Sequence, residues 1–166
     1  LSDSVEYYGI DFSKKSVDIA NEHKRSYQTK KKLNCIPNFA VGDACDLKFR
    51  DHSCDFVYSM GVIHHIANMD CSIDEIYRVL KSGGRATVYL YRTGSPKVEI
   101  AKFLRKFQKL LDWLMNKEKI IYQMFNRRKS KTFGTMFLEC FGVPVLRSVT
   151  GQDIERLFAD FSSIKY

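Results

Sequence analysis

Short apolar runs alternate with helix-like stretches through the first half of the chain. The apolar runs are rich in β-branched and aromatic residues, a composition typical of buried strands. They lie at residues 5–10, 39–41, 54–59 and 86–91. Apolar residues at helical spacing in 13–25 and 70–80 predict helices between them. This alternation predicts an α/β fold with a mostly parallel sheet and helices on both faces.

The second half of the chain has a longer helical pattern. An apolar stripe predicts one amphipathic helix, and its members are Val98, Ala101, Leu104, Phe107, Leu111 and Leu114. Shorter apolar stretches at 120–125 and 133–137 predict further helices, and Thr150 is a suitable N-cap for another. The predicted division has three parts: a core of strands and helices at 1–95, a basic, aromatic helical insertion or substrate cap at 96–148, and a return to the core at 149–166.

All of the net charge lies in one segment. The 166 residues carry a formal charge of +8, and residues 97–131 alone contain 11 basic and 3 acidic residues, which also gives +8. The shift indicates an insertion with its own role. Its cations and aromatic residues fit an anionic or lipid-like acceptor near a membrane surface, phosphate contact with RNA, or a helical cap whose lysines are solvated. We expect no contact with DNA.

Cysteine usage indicates a reducing compartment. The five cysteines include no Cys-x-x-Cys pair, so we expect ordinary thiols without a disulfide framework. Their spacing relative to the histidines matches no common zinc pattern, so we expect no metal site. No apolar run is long enough to span a bilayer, and from the polar first residues we expect no signal peptide. We expect a cytoplasmic protein that can lie at the periphery of a membrane.

Two carboxylates follow predicted strands, where parallel sheets bind their ligands. Asp11 ends the first apolar run and is placed to accept hydrogen bonds from a pair of ribose hydroxyls, or to cap the helix that follows. Asp43 follows Gly42 after the second run. Its side chain could accept a hydrogen bond from an exocyclic amine such as that of adenine, or Gly42-Asp43 could be an ordinary turn.

Small residues and two histidines follow the third predicted strand. Gly61 would allow a ligand close to the backbone. His64 and His65 come shortly after it, and a histidine at the mouth of a cleft can act as a general base near neutral pH. The alternative is that one histidine packs and the other is solvated.

Taken together, four motifs resemble the class I S-adenosylmethionine-dependent methyltransferase family. The motifs are Gly9-Ile10-Asp11-Phe12-Ser13, Gly42-Asp43-Ala44, the stretch 56–65 that ends in Val62-Ile63-His64-His65, and the stretch 78–84 that ends in Ser82-Gly83-Gly84. The resemblance covers about residues 5–91. Their order and spacing are far harder to match by chance than any one motif.

The resemblance implies a Rossmann-like, doubly wound fold, with residues 1–95 as a partial methyltransferase core. It also implies S-adenosylmethionine as cofactor and assigns a role to each motif. Asp11, with its neighbours Gly9 and Phe12, would hold the ribose. Asp43 and Ala44 would contact the adenine. The cofactor's methionine end would be lined by Ser59, Met60 and Gly61. His64 and His65 would lie where the acceptor approaches, and residues 81–84 would form a structural turn.

The chain departs from the family at both ends. It lacks the family's first strand and the glycine-rich loop after it, begins at Leu1 rather than Met, and stops before the last strands. We therefore expect a fragment truncated at both ends, which alone would fold poorly or bind the cofactor weakly. The leading function is methyl transfer to a small or lipid-like acceptor. The alternatives are a tRNA-modifying methyltransferase and a non-catalytic, methyltransferase-like binding subunit.

Overall fold

The computed structural model describes residues 5–30, 35–115 and 145–166. In chain order the elements are β1 (Tyr8–Asp11), α1 (Lys14–Lys30), β2 (Asn38–Val41), β3 (Cys54–Met60), a 3-10 helix (Ile63–His65), α2 (Met69–Val79), β4 (Leu80–Tyr89), α3 (Pro96–Met115) and α4 (Gly151–Leu157). Strands and helices alternate through the first half, which confirms the predicted α/β class. The short helices predicted at 120–125 and 133–137 lie outside the described residues.

Several element boundaries differ from the predicted ones. β1 begins at Tyr8 rather than at Val5, and α1 continues past Arg25 to Lys30. The largest difference is in β4, which begins at Leu80 where a turn was expected through Ser82-Gly83-Gly84. Gly83 has a φ of 76°, in the left-handed region, so the strand includes the local bend that the glycines had predicted.

The strands form two two-stranded sheets in the part of the chain that the structure describes. β1 pairs with β2, and β3 pairs with β4. β1 and β2 are parallel, with Tyr8 opposite Asn38 and Asp11 opposite Val41, because α1 returns the chain to the same end of the sheet. Large apolar side chains on these strands remain exposed, for example Val41 at 53% and Phe56 at 56%. These strands thus have the composition of buried parallel strands, although few other residues pack over them.

The chain divides into two compact units, each with its own core. The first consists of Leu1–Val57 and Asp70–Arg85, and the second of Tyr58–Met69 and Ala86–Tyr166. The buried apolar residues of the first unit are Val17, Ile73, Ile76, Val79 and Leu80. Those of the second unit are Ile63, Met69, Val98, Ala101, Val149 and Leu157.

The long helix α3 buries only part of its predicted apolar stripe. Val98 and Ala101 are buried. Phe107 and Leu114 belong to the same predicted stripe, yet they are 46% and 62% exposed. The stripe spans more of the helix surface than the described part of the second unit covers.

Helix α4 begins with the cap that the sequence predicted. The Thr150 hydroxyl accepts a hydrogen bond from the Asp153 amide at 3.2 Å, and the Asp153 carboxylate accepts one from the Thr150 amide at 2.7 Å. This reciprocal capping box satisfies two backbone donors that the first helical turn leaves without partners. The Asp153 pKa is lowered because its charged carboxylate accepts from the Thr150 amide and also from the Thr150 hydroxyl, at 2.7 Å.

A disulfide joins Cys45, in the turn after β2, to Cys71 near the start of α2. The expectation that the thiols would remain unpaired was therefore wrong for these two residues. The sequence offered no sign of the pairing because 26 positions separate them. Their Cα atoms are 5.1 Å apart in the fold, within the range that a disulfide requires. The bond attaches the turn that carries Asp43 to helix α2, inside the first unit.

Arg78 attaches the loop at 47–51 to helix α2 by a network of charged hydrogen bonds. Its guanidinium donates to the Glu75 carboxylate at 2.6 and 2.8 Å, to Asp51 at 2.6 Å, and to the carbonyls of Leu47 and Phe49, both at 2.9 Å. Glu75 also accepts from the Leu47 amide at 2.6 Å. These bonds satisfy loop groups that have no sheet partner, and they lower the pKa of Glu75, mainly through the hydrogen bond from Arg78.

We predict that reduction of the Cys45–Cys71 bond destabilises the protein. The bond closes a loop whose ends are 26 residues apart, and restoring that freedom to the unfolded chain costs about 3 kcal/mol of stability. Urea unfolding with and without dithiothreitol measures the difference. A Cys45→Ser/Cys71→Ser double variant should no longer respond to the reductant, whereas Cys54→Ser should respond like the parent. Equal midpoints for the oxidised and reduced parent would contradict the pairing.

We also predict an acid-sensitive contribution from Glu75. A lowered pKa in the folded state means that this contribution is complete above the ordinary value of 4.5 and disappears as pH falls through the lowered value. Urea unfolding between about pH 6 and pH 3 should therefore show a smaller loss of stability with acid for Glu75→Gln than for the parent. Glu22→Gln, an exposed substitution of the same type on α1, should follow the parent curve. Parallel curves for Glu75→Gln and the parent would remove Glu75 from the explanation.

Candidate cofactor site

Asp11 is the last residue of β1, and its side chain has a local role. Its Oδ1 atom accepts a hydrogen bond from the Ser13 amide at 2.7 Å, and the Ser13 hydroxyl accepts one from the Ser16 amide at 3.3 Å, at the start of α1. The helix cap is therefore Ser13, whereas Asp11 closes the turn just before the helix and uses one carboxylate oxygen for it. The other oxygen has no hydrogen-bond partner among the described residues, and the side chain is exposed.

Asp43 lies at the same edge of the β1–β2 sheet, two residues beyond Val41. Its Oδ1 atom accepts a hydrogen bond from the Cys45 amide at 2.9 Å, which closes a tight turn. Gly42 brings the turn close to β1, because its amide donates to the Asp11 carbonyl at 3.1 Å. A Cβ atom at position 42 would lie 2.7 Å from the Ile10 Cγ2 atom, so this position requires glycine. Two exposed carboxylates thus follow neighbouring parallel strands.

Three other residues of the first unit were predicted to bind the cofactor, and their environments differ. Phe12 follows Asp11 directly and is 81% exposed, so its ring is available for stacking. Ala44 is half-buried beside Asp43. Gly9 has a packing reason of its own, since a Cβ atom there would lie 2.5 Å from the Phe39 Cδ1 atom on β2. This contact explains Gly9 without a ligand.

Ser59, Met60 and Gly61 lie in the second unit, at the end of β3. Met60 is 60% exposed, and its sulfur accepts a hydrogen bond from the Tyr58 hydroxyl at 2.9 Å. Gly61 has a φ of 74°, and a Cβ atom there would meet nothing within 4 Å. The backbone at Gly61 is therefore left-handed and open, as a close approach by a ligand would require.

The two histidines occupy different environments in the second unit. His64 is 1% exposed, and its ring lies 4.0 Å from the Tyr91 ring and 4.2 Å from the His65 ring, measured between centroids. His65 is half-buried, and its Nδ1 atom lies 2.8 Å from the Val145 carbonyl oxygen. A carbonyl oxygen only accepts, so Nδ1 carries the proton, and in the neutral ring Nε2 keeps its lone pair.

The residues that fix the histidines were missed in the sequence. Tyr91 and Val145 hold His64 and His65 by ring contact and by a hydrogen bond. Val145 is 80 residues from His65, so no local pattern could have indicated the contact. The Arg147 amide also donates to the His64 carbonyl at 3.0 Å, which extends the same attachment.

Two other kinds of feature are absent from the part of the chain that the structure describes. Within residues 5–30, 35–115 and 145–166, no cluster of three histidine, cysteine or acidic side chains could hold a metal ion. Across those same ranges, no helix is both long and apolar enough to cross a bilayer.

Parallel strands joined through a helix, with a carboxylate after each strand, define a nucleotide-binding class of α/β protein. The family model of the methyltransferase domain matches residues 1–88, which is more than half of the chain. The chain belongs to this methyltransferase family. S-adenosylmethionine is the cofactor of the family, and the two exposed acceptors at Asp11 and Asp43 suit its ribose hydroxyls and adenine amine.

Over the matched part of the chain, curated relatives are about one-third identical to it. Phosphoethanolamine N-methyltransferase 2 of Caenorhabditis elegans is 32% identical over 90 residues, which cover 54% of this chain and 20% of that protein. Demethylmenaquinone methyltransferase of Lactobacillus johnsonii is 32% identical over 94 residues, covering 57% and 36%. A tRNA (carboxymethyluridine(34)-5-O)-methyltransferase of Macaca fascicularis is 35% identical over 86 residues, covering 50% and 11%. The match therefore spans a minor part of each relative.

Solved structures agree with the fold over almost the whole chain. A SAM-dependent methyltransferase from Methanosarcina mazei matches 95% of this chain and 68% of its own, with a TM-score of 0.61 and 19% identity. The YcgJ protein of Bacillus subtilis matches 93% and 51%, with a TM-score of 0.58 and 19% identity. These likenesses confirm the Rossmann-like methyltransferase fold.

Proposed function

We propose that this protein binds S-adenosylmethionine and transfers its methyl group to a small or lipid-like acceptor. The observation that carries the proposal is the parallel pairing of β1 with β2, which presents Asp11 and Asp43 at one sheet edge. Each carboxylate uses its Oδ1 atom in a local backbone hydrogen bond. That bond fixes the orientation of each carboxylate, and its Oδ2 atom can accept a further bond. Binding therefore loses little side-chain entropy.

The adenosine part of the cofactor would be held by the first unit. Asp11 would accept hydrogen bonds from the ribose hydroxyls, and Asp43 would accept one from the adenine amine. Such bonds to a charged acceptor contribute roughly 1.5–3 kcal/mol each. The exposed ring of Phe12 would lie against the nucleoside. The assignment of Ser59, Met60 and Gly61 to the methionine end stays a prediction, which the open backbone at Gly61 supports.

When bound, the cofactor supplies an electrophilic methyl group on a sulfonium. The acceptor atom attacks the methyl carbon in line with the carbon–sulfur bond, and the protein accelerates this step mainly by holding the two reactants in contact. A base is required only where the acceptor atom must lose a proton.

His65 is the better candidate for that base. Its Nδ1–H is committed to the Val145 carbonyl, which holds the ring and leaves the Nε2 lone pair able to take a proton. His64 is 1% exposed and packs between two rings, so we assign it to the core of the second unit.

The relatives guide the choice of acceptor. Their names describe methyl transfer to phosphoethanolamine and to a quinone, which supports a small or lipid-like acceptor for this protein. The tRNA relatives support RNA as the second candidate. Methyl incorporation into phosphoethanolamine, a demethylmenaquinone or unmodified tRNA separates the two. A non-catalytic subunit would bind the cofactor and methylate none of the three.

We predict that Asp11→Asn weakens S-adenosylhomocysteine binding at least tenfold. The amide oxygen of asparagine can accept the same hydrogen bond from the Ser13 amide, so the substitution keeps the turn before α1 while it removes the charged acceptor. Calorimetric titration measures the affinity. Asp18→Asn, which changes an exposed carboxylate paired with Lys14 on α1, is the matched control and should bind like the parent. Undiminished binding by a folded Asp11→Asn variant would contradict the proposed ribose contact.

For an acceptor that must lose a proton, His65→Gln should lower kcat by about 100-fold or more. It should also change the dependence of kcat on pH. Methyl transfer from radiolabelled cofactor across the pH range measures both effects. His23→Gln, at an exposed position of α1, should leave the profile unchanged. If the His65→Gln profile keeps the parent's shape at reduced rate, His65 is a positioning residue and not the base.

A further inference from the structure

Helix α3 presents an unusually apolar exposed face. Five large side chains along it have exposed fractions between 46% and 68%: Ile100, Phe103, Phe107, Leu110 and Leu114. Their spacing alternates between three and four residues, so they form one continuous stripe along the helix. The opposite face carries the buried residues Val98, Ala101 and Gln108. The stripe is therefore the exposed part of the apolar surface of α3, beyond the residues that anchor the helix in its unit.

A row of cations borders this stripe on one side. Lys102, Lys106 and Lys109 lie at successive helical turns, and Trp113 continues the same row. Lys102 is held by Glu99 at 3.1 Å and by the Ser148 hydroxyl at 2.8 Å, close to the body of the unit. Lys106 and Lys109 are exposed, and Trp113 is 76% exposed. The helix as a whole contains five basic and two acidic residues.

We propose that α3 binds an anionic membrane surface. Its stripe would enter the boundary between headgroups and acyl chains, with the lysine row at the lipid phosphates. An apolar stripe beside lysines, with a tryptophan at the edge, is the composition of helices that lie in a bilayer interface. The stripe would leave water, and Lys106 and Lys109 would remain in the hydrated headgroup layer, where each gains from the negative surface potential.

Other occupants fit the face less well. A second copy of the chain would bring two lysine rows towards each other, and like charges repel at such short distances. RNA would satisfy the lysines but would leave five large apolar side chains in water, since its backbone is polar and charged. A bilayer with anionic lipids satisfies the cations and the apolar stripe together.

The inference goes beyond the proposed methyl transfer and can fail independently of it. Membrane binding uses α3 alone and is measured without cofactor. Cofactor binding is measured without lipid. A variant that loses membrane binding and keeps cofactor binding is folded and specifically impaired.

The single tryptophan of the chain is the natural probe, because Trp113 lies at the edge of the stripe. We expect its emission to shift to the blue with vesicles of phosphatidylcholine and phosphatidylglycerol, and to remain unchanged with phosphatidylcholine alone. Phe103→Ser/Phe107→Ser and Lys106→Glu/Lys109→Glu should each weaken co-sedimentation with the anionic vesicles at least tenfold. Added salt should weaken binding of the parent. Tyr27→Ser and Lys15→Glu, at exposed positions of α1, are the matched controls and should bind like the parent.

Three outcomes would overturn the inference. One is an unchanged Trp113 emission with anionic vesicles. Another is concentration-dependent dimerisation without lipid that Phe103→Ser/Phe107→Ser abolishes, which would make the occupant a second copy. The third is RNA binding that needs the lysines but not the phenylalanines, together with no vesicle binding. Circular dichroism of each variant separates lost binding from lost folding.

Discussion

The hydrogen-bonded pairing of β1 with β2 determines what the first unit can do. Both strands run in the same direction because α1 carries the chain back to the starting end, so both carboxyl ends reach one edge of the sheet. Asp11 and Asp43 come into the same neighbourhood for this reason alone. Gly42 makes the approach possible, since any side chain there would collide with Ile10. A shift of the pairing by one residue would turn every side chain to the other face and would separate the two acceptors.

Two further attachments hold this edge in place. The disulfide from Cys45 to Cys71 fixes the Asp43 turn to α2. Arg78 fixes the following loop to the same helix through Glu75 and two carbonyls. Neither attachment contacts Asp11. The turn that presents Asp43 and the loop after it therefore depend on α2, whose own burial rests on Ile73, Ile76 and Val79.

The sequence predicted well what depends on local periodicity and poorly what depends on distant contacts. The Thr150 capping box and the parallel β1–β2 pair follow from short patterns, and both are present. The Cys45–Cys71 bond could not be anticipated, because only the tertiary fold brings the two residues together. The same holds for the contact of His65 with the Val145 carbonyl, across 80 residues. The adjacent histidines were indistinguishable in sequence. The turn of the 3-10 helix separates them, burying His64 and leaving His65 half-buried.

Helix α3 shows why amphipathic periodicity alone does not locate a core. The predicted stripe contained residues that the structure buries, such as Val98 and Ala101, and others that it exposes, such as Phe107 and Leu114. When apolar residues cover more than half of a helix's circumference, one neighbouring element can bury only some of them. The apolar residues that stay exposed need another apolar phase to leave water. The lysines beside them favour a phase with a negatively charged surface. The proposed function includes a lipid-like acceptor, which would be dissolved in the same bilayer. Burial of α3 in a bilayer would then concentrate the protein where that acceptor is dissolved.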